Sequence, residues 1–296
     1  GSRYRFTSLA MDKSVNFTIS ARVAVKTVAG KGAQHGFTIS SPLDGKARGA
    51  MVYDTKNDEV WILSYVPGWT YKQVFKGGDG WLMSDEDYAA IDKTNFRLTM
   101  VRDNATLYML VNDKPLAYID TEAIPLFIAA EGSTEAVSIK DVPLVTGFAS
   151  RNVQGSVSDP LDTATYSDLA VKLTAEHSAL VRTSGTISGA NANTKIYIGK
   201  IGGVTASTAN ADGTYSVLAP AGSTIAACDG EKAAFLGSAN GGALDGAMID
   251  ATYMTDGGYD EQKASAEGNG VYEISKLRTT LPLSATASAF EFGTAI

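Results

Sequence analysis

Along the first half of the chain, apolar and polar residues alternate with a period of two. In VNFTISARVAVKTV, Val15, Phe17, Ile19, Ala21, Val23 and Val25 share one face, while Asn16, Thr18, Ser20, Arg22 and Lys26 share the other. Successive side chains of a strand point to opposite faces, so this run predicts a half-buried strand, too long and too β-branched for a helix. Similar runs follow at GFTISS, GAMVYD, EVWILSYV, FRLTMVRD, TLYMLVND, LAYID, PLFIAA and VSIKDVPLV. Turn residues separate them, among them DTKND at 54–58, RDNA at 102–105 and NDKP at 112–115. Many strands at short spacing predict an antiparallel sandwich. One helix interrupts them. SDEDYAAIDK offers Ser84 as N-cap, with Asp85, Glu86 and Asp87 in the first turn, where carboxylates favour the helix dipole.

After 147–150 (GFAS) the texture changes to short runs rich in Ala, Gly and Thr: NVQGSVSD, DLAVKLTAE, TSGTISG, TKIYIGKI, GTYSVLAP and STIAACDG. Each holds few large hydrophobes, which predicts small domains with thin cores. TANADGTYSV at 208–217 echoes SAEGNGVYEI at 265–274, both placing Asp-Gly or Asn-Gly before a Tyr-containing strand, a hairpin signature. The expected organisation is a sandwich over 1–150, a small β-sandwich over 151–237 and a second, related β-unit over 238–296.

Composition narrows the partners. The 296 residues include 25 Lys+Arg and 32 Asp+Glu, a net charge of −7. Residues 1–148 hold 16 basic against 17 acidic groups, so −1, and the remainder carries −6. Without a basic stripe, nucleic acid is not an expected partner. No apolar run reaches the ~18 residues of a membrane span, so membrane insertion is not expected either. A single cysteine, Cys228, rules out an intrachain disulfide framework and is expected as a small buried strand residue. The opening Gly-Ser resembles the pair left by tag removal, so the chain is expected to be an excised piece of a longer protein.

FTISARVAV, AQHGFTISS and above all FRLTMVRDNATLYMLVNDKPLA, closed by VSIKDVPLVTGF, resemble the concanavalin A-like lectin/glucanase superfamily, nearest its laminin G-like members. NVQGSVSD, TSGTISG and NADGTYSVLAPAG resemble the carboxypeptidase regulatory-like, or transthyretin-like, β-sandwich, a family that mostly supplies rigid spacers. The resemblances imply an all-β chain: an N-terminal jelly-roll sandwich, then one or two small Ig/transthyretin-like units. They also imply a secreted or cell-surface setting on a Gram-positive bacterium. The glucanase branch works with carboxylates spaced E-x-D-x-x-E on one strand, and here no glutamate has an aspartate two positions on. Catalysis is therefore not expected.

Other candidate chemistry is thin. His35, expected on a strand surface, and His177 lie in different expected domains, and Cys228 is far from both in sequence. DTKNDE at 54–59 and DGGYDE at 256–261 have calcium-like composition without EF-hand spacing, so both are read as solvated turns. No cofactor is expected, with calcium left open, since lectins of the resembled superfamily sometimes use it.

The tryptophans remain. Trp61 alternates with Leu63 and Tyr65 and is read as core. Trp69 and Trp81 each follow a glycine, in PGW and DGW, and flank the run Tyr71–Phe75. Sugar rings present flat C–H faces that stack on aromatic rings, while their hydroxyls need polar neighbours. Trp69, Tyr71 and Trp81 are the candidate platform, Gln73 and Asp79 its polar contacts, and Lys72 and Lys76 its rim. Two readings follow: a monomeric, non-catalytic module that binds a glycan or other surface polymer, or a stalk in which both indoles plug the sandwich ends. A glycoside-active enzyme with an unfamiliar carboxylate pair is the third.

Overall fold

The computed structural model describes residues 4–5, 9–11, 16–26, 33–40, 48–66, 69–75, 77, 80–121, 127–128, 136–137, 144–152, 163–249, 251–253 and 277–278. The chain divides into two compact units, Gly1–Ala179 and Leu180–Ile296.

In the first unit the strands are β1 (Tyr4–Arg5), β2 (Leu9–Met11), β3 (Phe17–Lys26), β4 (Ala33–Ser40), β5 (Arg48–Asp54), β6 (Glu59–Val66) and β7 (Trp69–Phe75). After the helix α1 (Asp85–Ala89) come β8 (Asn95–Asp103), β9 (Thr106–Val111), β10 (Lys114–Asp120), β11 (Phe127–Ile128), β12 (Ala136–Val137), β13 (Leu144–Asn152) and β14 (Thr163–Lys172). One sheet runs β1-β13-β4-β5-β6-β7, with β2 also on β13; the other runs β10-β9-β8-β3-β14. Every described pairing within them is antiparallel, as the alternation predicts.

The alternating face of β3 is the core face. Phe17, Ile19, Ala21 and Val23 are fully buried, in register with Arg102, Met100, Leu98 and Phe96 of β8. Across the sandwich Phe96 meets Tyr53 edge-on at 5.6 Å and His35 at 6.3 Å. His35 is 2% exposed, which overturns the surface reading. Its odd-numbered place in β4 aligns it with Phe37 and Ile39, and a local window does not show that this row faces β8.

The first unit reaches past the expected boundary at 150. That position lies inside β13, and β14, assigned by composition to the next domain, pairs with β3 from Thr163↔Lys26 to Lys172↔Thr18. Tyr166 fastens it: its phenol donates to Ala149 O (2.7 Å) and accepts the Gly36 N–H (3.3 Å), joining the two sheets. One aromatic anchor does what several aliphatic residues do elsewhere, so the hydrophobic pattern there is faint.

The second unit contains β15 (Leu180–Ser188), β16 (Lys195–Ile198), β17 (Thr205–Thr208), β18 (Thr214–Pro220), β19 (Thr224–Cys228), β20 (Lys232–Ser238), β21 (Ala247–Met248), β22 (Ala251–Tyr253) and β23 (Leu277–Arg278). Its sheets run β18-β15-β21 and β17-β16-β19-β20-β22-β23. The strands after 238 extend sheets begun before it. The NADG turn forms, with Gly213 at φ 83° and its N–H on Asn210 O (2.9 Å). It is a corner rather than a hairpin, because β17 and β18 belong to different sheets. The echoing segment at 265–274 lies outside the described residues. Cys228 is buried in β19, as expected.

Candidate functional site

The site is built from the β5–β6 turn upward. Asp54, 1% exposed, accepts four hydrogen bonds: from Gln34 Nε2 (3.0 Å), the backbone N–H groups of Lys56 (3.1 Å) and Asn57 (3.0 Å), and Asn57 Nδ2 (3.0 Å). An acceptor-only carboxylate suits a turn that offers several donors at once. This corrects the reading of DTKND as a solvated turn: Lys56 and Asn57 are exposed, but the aspartate that shapes the turn is inside. The turn ends at Asp58, in the left-handed region at φ 62°, with its N–H on Asp54 O (3.0 Å).

That backbone presents the Asp58 carboxylate to α1. It accepts the Tyr88 phenol (2.9 Å) and pairs with the Lys93 ammonium. Because Tyr88 gives its proton to Asp58, the Tyr53···Tyr88 contact of 3.0 Å has Tyr53 as donor. A directed chain results, Tyr53 to Tyr88 to Asp58, with Lys93 neutralising its end. Burial pushes the Tyr53 phenol up to about 12; burial, then Tyr53 and Asp58 beside it, raises Tyr88 as well. Both are uncharged donors at neutral pH.

Trp81 completes the group. Residues 80–82 run beside β10, with Tyr118 N–H on Gly80 O (2.8 Å), Leu82 N–H on Leu116 O (2.9 Å) and Trp81 bridged to Ala117. The half-buried indole donates Nε1–H to Met83 O (2.9 Å), and its ring lies 5.4 Å from that of Tyr88, tilted 58°. Lys93 Nζ stands 5.3 Å from the Tyr88 ring centre, a cation–π contact. The helix start is as predicted: Ser84 Oγ accepts the Asp87 N–H (3.2 Å), and Asp87 also binds Lys114 of β10 (2.5 Å). The result is two half-buried aromatic rings beside a carboxylate and an ammonium, at the end of the sandwich where the chain crosses from one sheet to the other.

Of the residues expected to form the platform, Trp81 is the one whose side chain is among the described residues, and it lies here. Trp69, Tyr71 and Gln73 belong to β7, but their side chains, like that of Lys72, lie outside the described residues, as do Asp79 and Lys76. The backbone register is nonetheless informative. β7 pairs Trp69 with Val66 and Phe75 with Val60, which in turn pairs with Tyr53. Trp69 is thus at the far end of β7 from Tyr53, about 20 Å away at ~3.3 Å per residue. In the backbone register Gln73 pairs with Ile62 and Phe75 with Val60. Trp61 occupies the face of β6 opposite that of Val60 and Ile62, half-buried on Ala50, Val52 and Ala149, with its N–H on Glu59 Oε2 (2.8 Å). It packs as expected, though on the outer side of its sheet.

Asp58, Tyr88 and Lys93 were not singled out as a site. Tyr88 carried a signal, being the one large ring in an otherwise acidic helical turn. His177 is structural: Nδ1 accepts the Ala179 N–H (3.2 Å), so Nε2 carries the proton toward Asp113 (3.3 Å). Among the described residues no three His, Cys, Asp or Glu side chains converge as a cation site, and DGGYDE lies outside them.

No family model and no curated protein sequence matches the chain. Among solved structures it is similar to a carbohydrate-binding module from Bacillus subtilis, at 14% identity and TM-score 0.34 over 58% of this chain and 82% of that one. A sheep galectin-11 crystallised with glycerol shares 11% identity, with TM-score 0.31 over 58% of this chain and 98% of its own. An alginate lyase from Pseudomonas aeruginosa shares 14% identity, with TM-score 0.33 over 55% of this chain and 66% of its own. At such scores no activity passes from these proteins to this chain. The all-β architecture stands on the strands and sheets described above.

Proposed function

We propose that the first unit is a non-catalytic glycan-binding module of a bacterial surface protein, with Trp81 and Tyr88 as its contact surface. The observation that carries the reading is the half-buried aromatic pair with Asp58 and Lys93 beside it. Two rings give a sugar its apolar face, while a carboxylate and an ammonium give its hydroxyls an acceptor and a donor. The Tyr53–Tyr88–Asp58 chain holds these groups in place before a ligand arrives, which lowers the ordering cost of binding.

The test is a glycan array followed by calorimetry on the full chain. Retention of at least one oligosaccharide is expected, lost in Trp81→Ala, weakened in Trp81→Phe and intact in Trp69→Ala. Equal loss in Trp69→Ala and Trp81→Ala would restore the larger platform spanning β7. Retention untouched by Trp81→Ala would remove the site from this place altogether.

One observation favours a structural spacer instead. The Trp81 N–H is committed to Met83 O, and Asp58, Lys93, Tyr88 and Tyr53 already bond one another. An array without a hit, together with a Trp81→Ala variant that loses stability, would establish that reading.

A further inference from the structure

The net negative charge of the first unit is concentrated around the aromatic pair. The turn 54–59 and the segment 84–93 together hold seven carboxylates (Asp54, Asp58, Glu59, Asp85, Glu86, Asp87, Asp92) against Lys56 and Lys93, a net −5. Lys114, reaching in from β10 to Asp87, brings this to −4. The whole unit, residues 1–179, holds 18 basic against 21 acidic groups, so −3, and everything outside this group sums to +1.

Lys93 pairs with Asp58 and lies over the Tyr88 ring, and Lys114 pairs with Asp87. Two of the acids, Asp87 and Asp92, are held in their charged form. The Lys114 hydrogen bond keeps Asp87 below the usual carboxylate range, and the Thr94 hydroxyl and N–H do the same for Asp92. Asp85 and Glu86 stand exposed on α1, three and two residues from Tyr88, whose ring meets Trp81.

Resting on the glycan-binding reading, we propose that this site sorts glycans by charge: it takes amine-bearing and neutral sugars, in that order, and rejects uronates and sulfated sugars. A polyanionic strand laid across Trp81 and Tyr88 would bring each of its charges to within about one Debye length, ~10 Å at 0.1 M salt, of a surface carrying net −4. A glucosamine polymer meets the same field with the opposite sign. Lys93 and Lys114 are already included in that net −4.

The experiment uses the full chain on an array of neutral, glucosamine-bearing, uronate-bearing and sulfated oligosaccharides, read at low and at raised salt. Glucosamine-bearing glycans are expected to bind roughly tenfold better than uronates at low salt, with the gap closing as salt screens the field. Asp85→Asn combined with Glu86→Gln is expected to narrow that gap while leaving neutral glycans bound as before. Uronates or sulfated glycans held as well as amines, through Trp81, would overturn the charge inference and leave the glycan-binding reading intact. An array with no retained glycan would overturn both.

Discussion

Replacing Asp54 with alanine probes the packing and the candidate site together. The carboxylate is buried and accepts four hydrogen bonds, two of them from backbone groups of a turn and one from the fully buried Gln34 amide. The Lys56 and Asn57 N–H groups sit on exposed residues and can turn to water, so their loss costs about 1 kcal/mol together. The Gln34 amide cannot, and a buried donor deprived of an ionised acceptor costs about 2 kcal/mol. The total is about 3 kcal/mol. With a urea m-value of about 2 kcal/mol/M, the midpoint should fall by about 1.5 M. All three tryptophans lie between 61 and 81, so their fluorescence reports the first unit alone and avoids treating a two-unit chain as two-state. Asn57→Ala, which removes one exposed arm, should cost less than about 1 kcal/mol. Because the Asp54 carboxylate holds the Lys56 and Asn57 N–H groups of the turn that leads to Asp58, Asp54→Ala should also weaken any ligand bound at Trp81. A midpoint shift below about 0.5 M would refute the reasoning, since it would mean that solvent already satisfies the Gln34 amide and the turn.

Two further outcomes follow from the same coordinates. A Cβ at Gly36 would stand 2.0 Å from Met51 O and 2.7 Å from Val52 Cα, both backbone, so Gly36→Ala should cost about 3 kcal/mol or more in a denaturant titration. Tyr53 holds its proton to about 12, and Tyr88 and Tyr166 are raised in the same direction, all by burial first. Below about pH 10 the folded and unfolded chains both keep these protons; above it the unfolded chain loses them first, so stability should fall from about pH 10 upward. Denaturation midpoints and tyrosinate absorbance measured across that range check it, and tyrosines that ionise at the free value in the folded state would contradict it.

What the sequence determined was everything local. The period of two in β3 named its buried face residue by residue, and Ser84 with the acids behind it announced α1 at its true start. These signals are legible because strand alternation and helix capping act between residues a few positions apart. Tertiary structure alone decided the rest. That His35 is buried depends on Phe96, 61 positions away, and that β14 belongs to the first unit depends on Tyr166 reaching Ala149 and Gly36 across the sandwich. Trp69 and Trp81, close in the chain and both preceded by glycine, were expected together. The pairing of β6 with β7 sets Trp69 at the far end of its strand, and the Ala117 bridge draws Trp81 to β10, where Tyr88, Asp58 and Lys93 meet it. Which side chains converge at a point is set by sheet order and register, and these follow from summed burial over the whole sandwich rather than from any short window of residues.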